Sequence, residues 1–162
     1  MPTTTICAIA SGIGGGIGII RISGPDAESI AQRLLVPWPS AVESHRLYYG
    51  QVVSPSHAQD PPGLPEVIDQ VLFCLMRGPR SYTGEDVVEI HGHGGAVTLR
   101  RIIEACLHAG AHSAEPGEFT RRAFLAGKLD LTRAEAVASL LSAQSVQAAR
   151  QAQRQLAGGN RL

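Results

Sequence analysis

Apolar positions along the chain change their spacing several times, and each change predicts an element. Thr4 to Ala10 and Ile17 to Ile22 are β-prone runs joined by the loop Ser11 to Gly16, where Gly12, Gly14, Gly15 and Gly16 crowd together. Ala27, Ile30, Ala31 and Leu34 then recur at helical spacing. Gly24-Pro25-Asp26 should open that helix, with Pro at its first position and Asp26 and Glu28 set against the dipole, and Pro37 and Pro39 should end it. Arg46 to Val53 reads as a strand, Ser54 to Glu66 as a proline-rich surface loop, and Val67 to Met76 as a further strand. Val87, Val88 and Ile90 continue the β pattern, after which Leu99, Ile102, Ile103 and Cys106 fall on a helix stripe that Gly110 stops. Ala111 to Ala114 predicts a last short strand and Glu118 to Ala126 a helix. Thr132-Arg133-Ala134-Glu135 has the form of a capping box for a final helix reaching Leu156. The apolar stripe of that last helix is too shallow to fold without a partner surface.

The composite is α+β: a mixed β sheet with two or three flanking helices over residues 1–117, followed by a helical arm over residues 118–162. Composition adds limits. The 162 residues suffice for one proper core, and a net charge of zero with pI about 7.0 removes any broad electrostatic pull toward nucleic acid or membrane. Cys7, Cys74 and Cys106 are odd in number and sit in apolar runs, so they read as reduced, buried thiols and not as a disulfide framework or zinc site. Apolar runs are broken by Arg21, Gln70 or Arg77 well short of a bilayer span, and the N-terminus lacks a signal-peptide pattern. A soluble, cytoplasmic protein is expected.

Candidate chemistry concentrates between Pro79 and Gly95, where acidic turn residues precede a strand carrying Glu89 and then a Gly/His elbow that opens a helix. Helix-opening amides suit a carboxylate or phosphate, although glycines there can equally serve only the turn. The glycine run at 12–16 fits neither a dinucleotide fingerprint nor a phosphate loop and reads as a pliable connection. His91 and His93 share one side of an extended segment, but no third ligand lies at metal-site spacing, so a solvated or hydrogen-bonded pair is the better reading. Arg121, Arg122 and Arg133 could meet RNA phosphate, yet Glu115, Glu118, Asp130 and Glu135 largely cancel them. Glu85 and Asp86 point to opposite faces with no nucleophile beside them, and with Thr83 they read as turn-shaping residues.

The string Ser81-Tyr82-Thr83-Gly84-Glu85-Asp86-Val87-Val88-Glu89-Ile90-His91-Gly92-His93-Gly94-Gly95 resembles a signature of the N-terminal domain of the bacterial tRNA-modification GTPases, the MnmE (TrmE) family. Gly18 to Ala27 resembles the family's first strand and turn, and Glu115 to Val137 its entry into the helical region. The resemblance implies a fold like the tetrahydrofolate-binding domain of the glycine-cleavage T-protein, a homodimer, and a reduced folate such as 5-formyltetrahydrofolate at the dimer interface. It also implies that the full-length protein hydrolyses GTP with magnesium and potassium. With an FAD-dependent partner, MnmG (GidA), that protein takes part in 5-carboxymethylaminomethyl modification of the tRNA wobble uridine. This chain lacks a phosphate loop, a switch region and the family's C-terminal cysteine motif, so it is not expected to hydrolyse GTP alone. It also departs from the family at Gly12 to Gly14, where prolines and a basic residue are usual.

Carried over position by position, the resemblance implies folate contacts at Arg21, Glu89 and Lys128. A pterin edge offers an exocyclic amine and ring N–H donors that suit the Glu89 carboxylate, and Arg21 and Lys128 suit the remaining polar or anionic groups. Without the resemblance, Arg21 reads as a solvated strand residue, Glu89 as a salt-bridge partner and Lys128 as a helix C-terminal charge. Two further functions fit the sequence: a stand-alone one-carbon transferase of the T-protein type, and a dimer scaffold with a vestigial pocket.

Overall fold

The computed structural model describes residues 4–54 and 65–128, and the chain divides into two compact units, residues 1–113 and 114–162. Among the described residues of the first unit, seven strands form one sheet: β1 (Ile6–Ile9), β2 (Ile17–Ser23), β3 (Leu35–Val36), β4 (Leu47–Val53), β5 (Val67–Met76), β6 (Val87–His93) and β7 (His112–Ser113). Their spatial order is β3-β4-β5-β6-β2-β1-β7. Every pairing is antiparallel except β1 with β7. The sheet is therefore mixed, and with its helices the unit is α+β as the sequence pattern predicts.

Alternation divides the sheet into two unlike faces. Along β5, Asp69, Val71, Phe73 and Leu75 are buried while Gln70 and Leu72 are exposed, as the two-residue period of a strand requires. Val71, Phe73 and Leu75 join Cys7, Ile20, Ile22, Val52, Val88 and Ile90 in one core with helices α1 (Ala27–Leu34) and α2 (Ala96–His108). α1 contributes Ala27, Ile30, Ala31 and Leu34, the four positions of its sequence stripe. α2 contributes Leu99, Ile102, Ala105 and Cys106, so Ala105 takes a core place that the sequence stripe assigned to Ile103. Each large apolar side chain so buried contributes about 1.5–3 kcal/mol. Phe73 sits between Trp38 and Tyr48, with ring centroids 5.4 and 5.7 Å away. Gly50 makes room for it, because a Cβ there would lie 2.9 Å from the Phe73 ring.

The start of α1 differs from expectation. Pro25 lies in a turn and not at the first helical position, and Asp26 caps the helix without a side-chain hydrogen bond. Thr5 decides this: its Oγ1 accepts the Asp26 N–H at 2.8 Å, while Gly24 adopts a φ of 144° and packs directly on Thr5. The strand β3 was not visible in the sequence, since its two residues follow α1 without a break and owe their extended form to pairing with β4. The loop at 12–16 is docked, not merely pliable: the Gly14 N–H donates to the Gly94 carbonyl at 2.8 Å, and Ser11 Oγ accepts the Ile19 N–H at 2.8 Å.

In the second unit, α3 (Glu118–Leu125) follows Gly117, whose φ of 74° turns the chain into the helix. Glu118 Oε2 accepts from the buried Arg122 at 3.0 Å and lies 3.8 Å from Arg121, so these two arginines of the basic cluster are answered by Glu118. The helix expected from Thr132 to Leu156, with Arg133, Asp130 and Glu135, lies outside the described residues. Among the described residues, no helix is long and apolar enough to cross a membrane.

Candidate functional site

The face of the sheet away from α1 and α2 carries a polar centre with apolar flanks. Register builds it from two adjacent rows. One row runs Ala8, Arg21, Glu89, Cys74, Leu47 across β1, β2, β6, β5 and β4; the next runs Ile19, His91, Leu72, Tyr49 across β2, β6, β5 and β4. Arg21 and Glu89, 68 residues apart in sequence, are thus direct cross-strand partners.

Arg21 Nε donates to Glu89 Oε2 at 3.0 Å, and Nη2 completes the ion pair 3.0 Å from the same oxygen. On the other oxygen, His91 Nε2 lies 3.2 Å from Glu89 Oε1. A carboxylate only accepts, so this nitrogen carries the proton. The Arg21 guanidinium also sits 5.2 Å from the centroid of the Tyr82 ring, within cation–π range. With about a fifth of each side chain exposed, the Arg21–Glu89 pair is sheltered enough to exceed an ordinary surface bridge while staying reachable from solvent. Next to Glu89 on β5, Cys74 has its thiol pushed up by burial and then by the negative charge of Glu89, partly offset by a hydrogen bond from the His45 backbone.

The loop 77–86 that carries Tyr82 is held by its own polar residues and by Ser23 of β2. Ser23 Oγ donates to Glu85 Oε1 at 2.9 Å and lies 2.7 Å from Thr83 Oγ1, while Asp86 Oδ1 accepts the Gly78 N–H at 2.9 Å. Thr83, Glu85 and Asp86 therefore shape the turn, as the sequence suggested.

His91 and His93 do not act as a pair. His93 bonds a different carboxylate, donating its backbone N–H to Asp69 Oδ2 at 2.8 Å and placing Nδ1 2.6 Å from Oδ1. Gly92 makes room for that buried carboxylate, since a Cβ there would lie 2.5 Å from Oδ2. Among the described residues, no group of three or more His, Cys, Asp or Glu side chains could hold a metal.

Of the sequence-predicted site residues, the structure brings Arg21 and Glu89 together, and each is the other's ion-pair partner. Glu89 is thus a salt-bridge partner, and Arg21 is not simply solvated. Lys128 belongs to the second unit, where it is exposed after the left-handed Gly127 and donates its backbone N–H to the Ala123 carbonyl at 2.9 Å. Sequence reasoning missed His91 as a partner of Glu89, although a spacing of two on a strand puts both on one face. It also missed Tyr82 and Asp69, which reach their partners only through loop conformation and strand pairing. A depression of about 460 Å³ bordered by Glu28, Gln32, Trp38 and Arg77 lies on the helix side of the sheet. Arg77 and Glu28 there pair with one another at 2.7 and 3.2 Å.

A mixed sheet covered by helices on one face and carrying a paired polar cluster on the other makes this unit an α+β module. The chain matches the family described as "GTP-binding protein TrmE N-terminus" over residues 5–128 and belongs to it. It is 51% identical over 159 residues to the "tRNA modification GTPase MnmE" of Synechococcus sp. (strain RCC307), covering 96% of this chain and 34% of that protein. The same-named proteins of Acaryochloris marina and Symbiobacterium thermophilum are 52% and 51% identical, covering 94% and 90% of this chain and 33% and 31% of theirs. The chain spans about a third of the length of these relatives.

Proposed function

We propose that this chain is the folate-binding and homodimerisation part of a cytoplasmic tRNA-modification GTPase. Its α+β region to residue 117 is the binding domain, related in fold to the tetrahydrofolate-binding domain of the T-protein, and residues 118–162 begin a helical domain. A reduced folate such as 5-formyltetrahydrofolate binds with its pterin edge on Glu89, with Arg21 and Lys128 serving its other polar and anionic groups. The observation that carries this reading is the Arg21–Glu89–His91 cluster on a face that also exposes Ile17, Leu47, Tyr49 and Leu72. A carboxylate held between two donors suits a ligand edge rich in N–H groups, because each oxygen accepts one hydrogen bond here and keeps one lone pair for a ligand. The exposed apolar residues around it favour cover by a second copy, which would also turn an open face into an enclosed site. GTP hydrolysis, action on the tRNA wobble uridine and partnership with MnmG are assigned to the longer protein that the relatives represent.

Calorimetric titration of 5-formyltetrahydrofolate into the chain, beside Glu89→Gln, tests the reading. Saturable binding of about one ligand per chain, weakened at least about tenfold in the variant, is expected for a charge-assisted contact. A folded, dimeric wild type that takes up no folate would sink the binding role and leave a dimer scaffold. Folate turnover with an amine acceptor would instead favour the one-carbon transferase.

A further inference from the structure

We infer that His91 is the positioning residue of this site and fixes the plane in which Glu89 meets its ligand; the inference rests on the folate reading above. Arg21 alone does not achieve this, because its Nε and Nη2 converge on the single oxygen Oε2. A carboxylate anchored through one oxygen still rotates about that anchor, sweeping the other oxygen through an arc. His91 Nε2–H at 3.2 Å from Oε1 supplies the second anchor from a different direction. The two anchors come from two strands: Arg21 stands on β2 directly opposite Glu89, and His91 stands on β6 itself, one pleat further along the same face.

His91 is itself held in place by the sheet. It is registered between Ile19 on β2 and Leu72 on β5, and its ring is about one third exposed. Among the described residues, Arg21 faces Glu89 and lies over the Tyr82 ring, and Cys74 is the cross-strand neighbour of Glu89 on β5. His93 is committed to Asp69 and plays no part.

A ligand that presents two parallel N–H donors, as a 2-amino-4-oxo pyrimidine edge does, needs both carboxylate oxygens in one plane. Fixing that plane before binding removes an ordering cost from the binding step. His91 thus makes the site selective for a bidentate donor edge without touching the ligand.

The test compares His91→Gln, which keeps an N–H near the position of Nε2, with His91→Leu, which keeps bulk but no donor. His91→Leu should weaken 5-formyltetrahydrofolate binding about tenfold and His91→Gln no more than about threefold, with unchanged melting of both chains. Imidazole ¹⁵N spectra of the ligand-free chain supply an independent readout: the His91 signals should move in Glu89→Gln and stay in the control Gln70→Ala. Wild-type affinity in His91→Leu, equal losses in both variants, or ¹⁵N signals indifferent to Glu89 would each overturn the inference. Absence of folate binding in the wild type would overturn the folate reading, while the ¹⁵N response would still show whether His91 orients Glu89.

Discussion

Cys74 is the residue through which the charge at the site can be read. Burial and then the Glu89 carboxylate push its thiol up, so its thiolate fraction at pH 8 lies below that of an unshifted cysteine. Timed alkylation with iodoacetamide, followed by mass spectrometry, should find Cys74 slower than the same cysteine in the urea-unfolded chain and faster in Glu89→Gln. Equal rates in wild type and variant would mean that the charge does not reach the thiol. Cys7 and Cys106 serve as internal references, being buried in the core and hydrogen-bonded to one another. That bond lowers the Cys7 thiol and, with burial, raises Cys106. Cys7 and Cys106 are the buried thiols that their apolar runs predict, whereas Cys74, expected to be buried with them, is half-buried on the face away from the core; which thiol faces a charge depends on strand register, a long-range property.

At the scale of elements, the junction of β6 and α2 depends on a residue of β5. Asp69 accepts both the backbone N–H and the ring nitrogen of His93 from a nearly buried position. Asp69→Ala should cost about 2–3 kcal/mol, because it removes both contacts and leaves the His93 N–H without its acceptor. Asp69→Asn keeps a carbonyl for the N–H and should cost about half as much. Urea unfolding of the three chains compares them, and equal stability of Asp69→Ala and wild type would refute the role. Along the sequence, Asp69 is only a polar interruption in an apolar strand. Its function becomes visible once β5 lies beside β6 and Gly92 leaves a gap for its carboxylate. Elements whose own residues set their period, such as α1, α2 and β5, were readable; β3 was not, since two residues set no period and only their pairing with β4 marks them as a strand.

For the whole molecule, the unlike faces of the sheet make a prediction about assembly. Leu72 stands on the open face beside His91 and Tyr49 and is 43% exposed. If that face is covered by a second copy, Leu72→Glu should convert a dimer into a monomer in sedimentation equilibrium while changing stability by no more than about 1 kcal/mol. Val97→Glu, at an exposed position on the helix side, should leave the dimer intact. A monomeric wild type, or a Leu72→Glu chain that stays dimeric, would remove this face as the interface.

The amino-acid sequence by itself determined the period of each main element, the α+β class and the family, because spacing and local signatures act over a few residues. It also supplied Arg21 and Glu89 as candidates, though each as a separate residue. Only the tertiary structure decided that these two neutralise one another, that His91 completes the cluster, and that His93 belongs to Asp69. Those contacts join residues of different strands, and the register between β2, β6 and β5 is set by packing against α1 and α2 and by hydrogen bonding along the whole sheet.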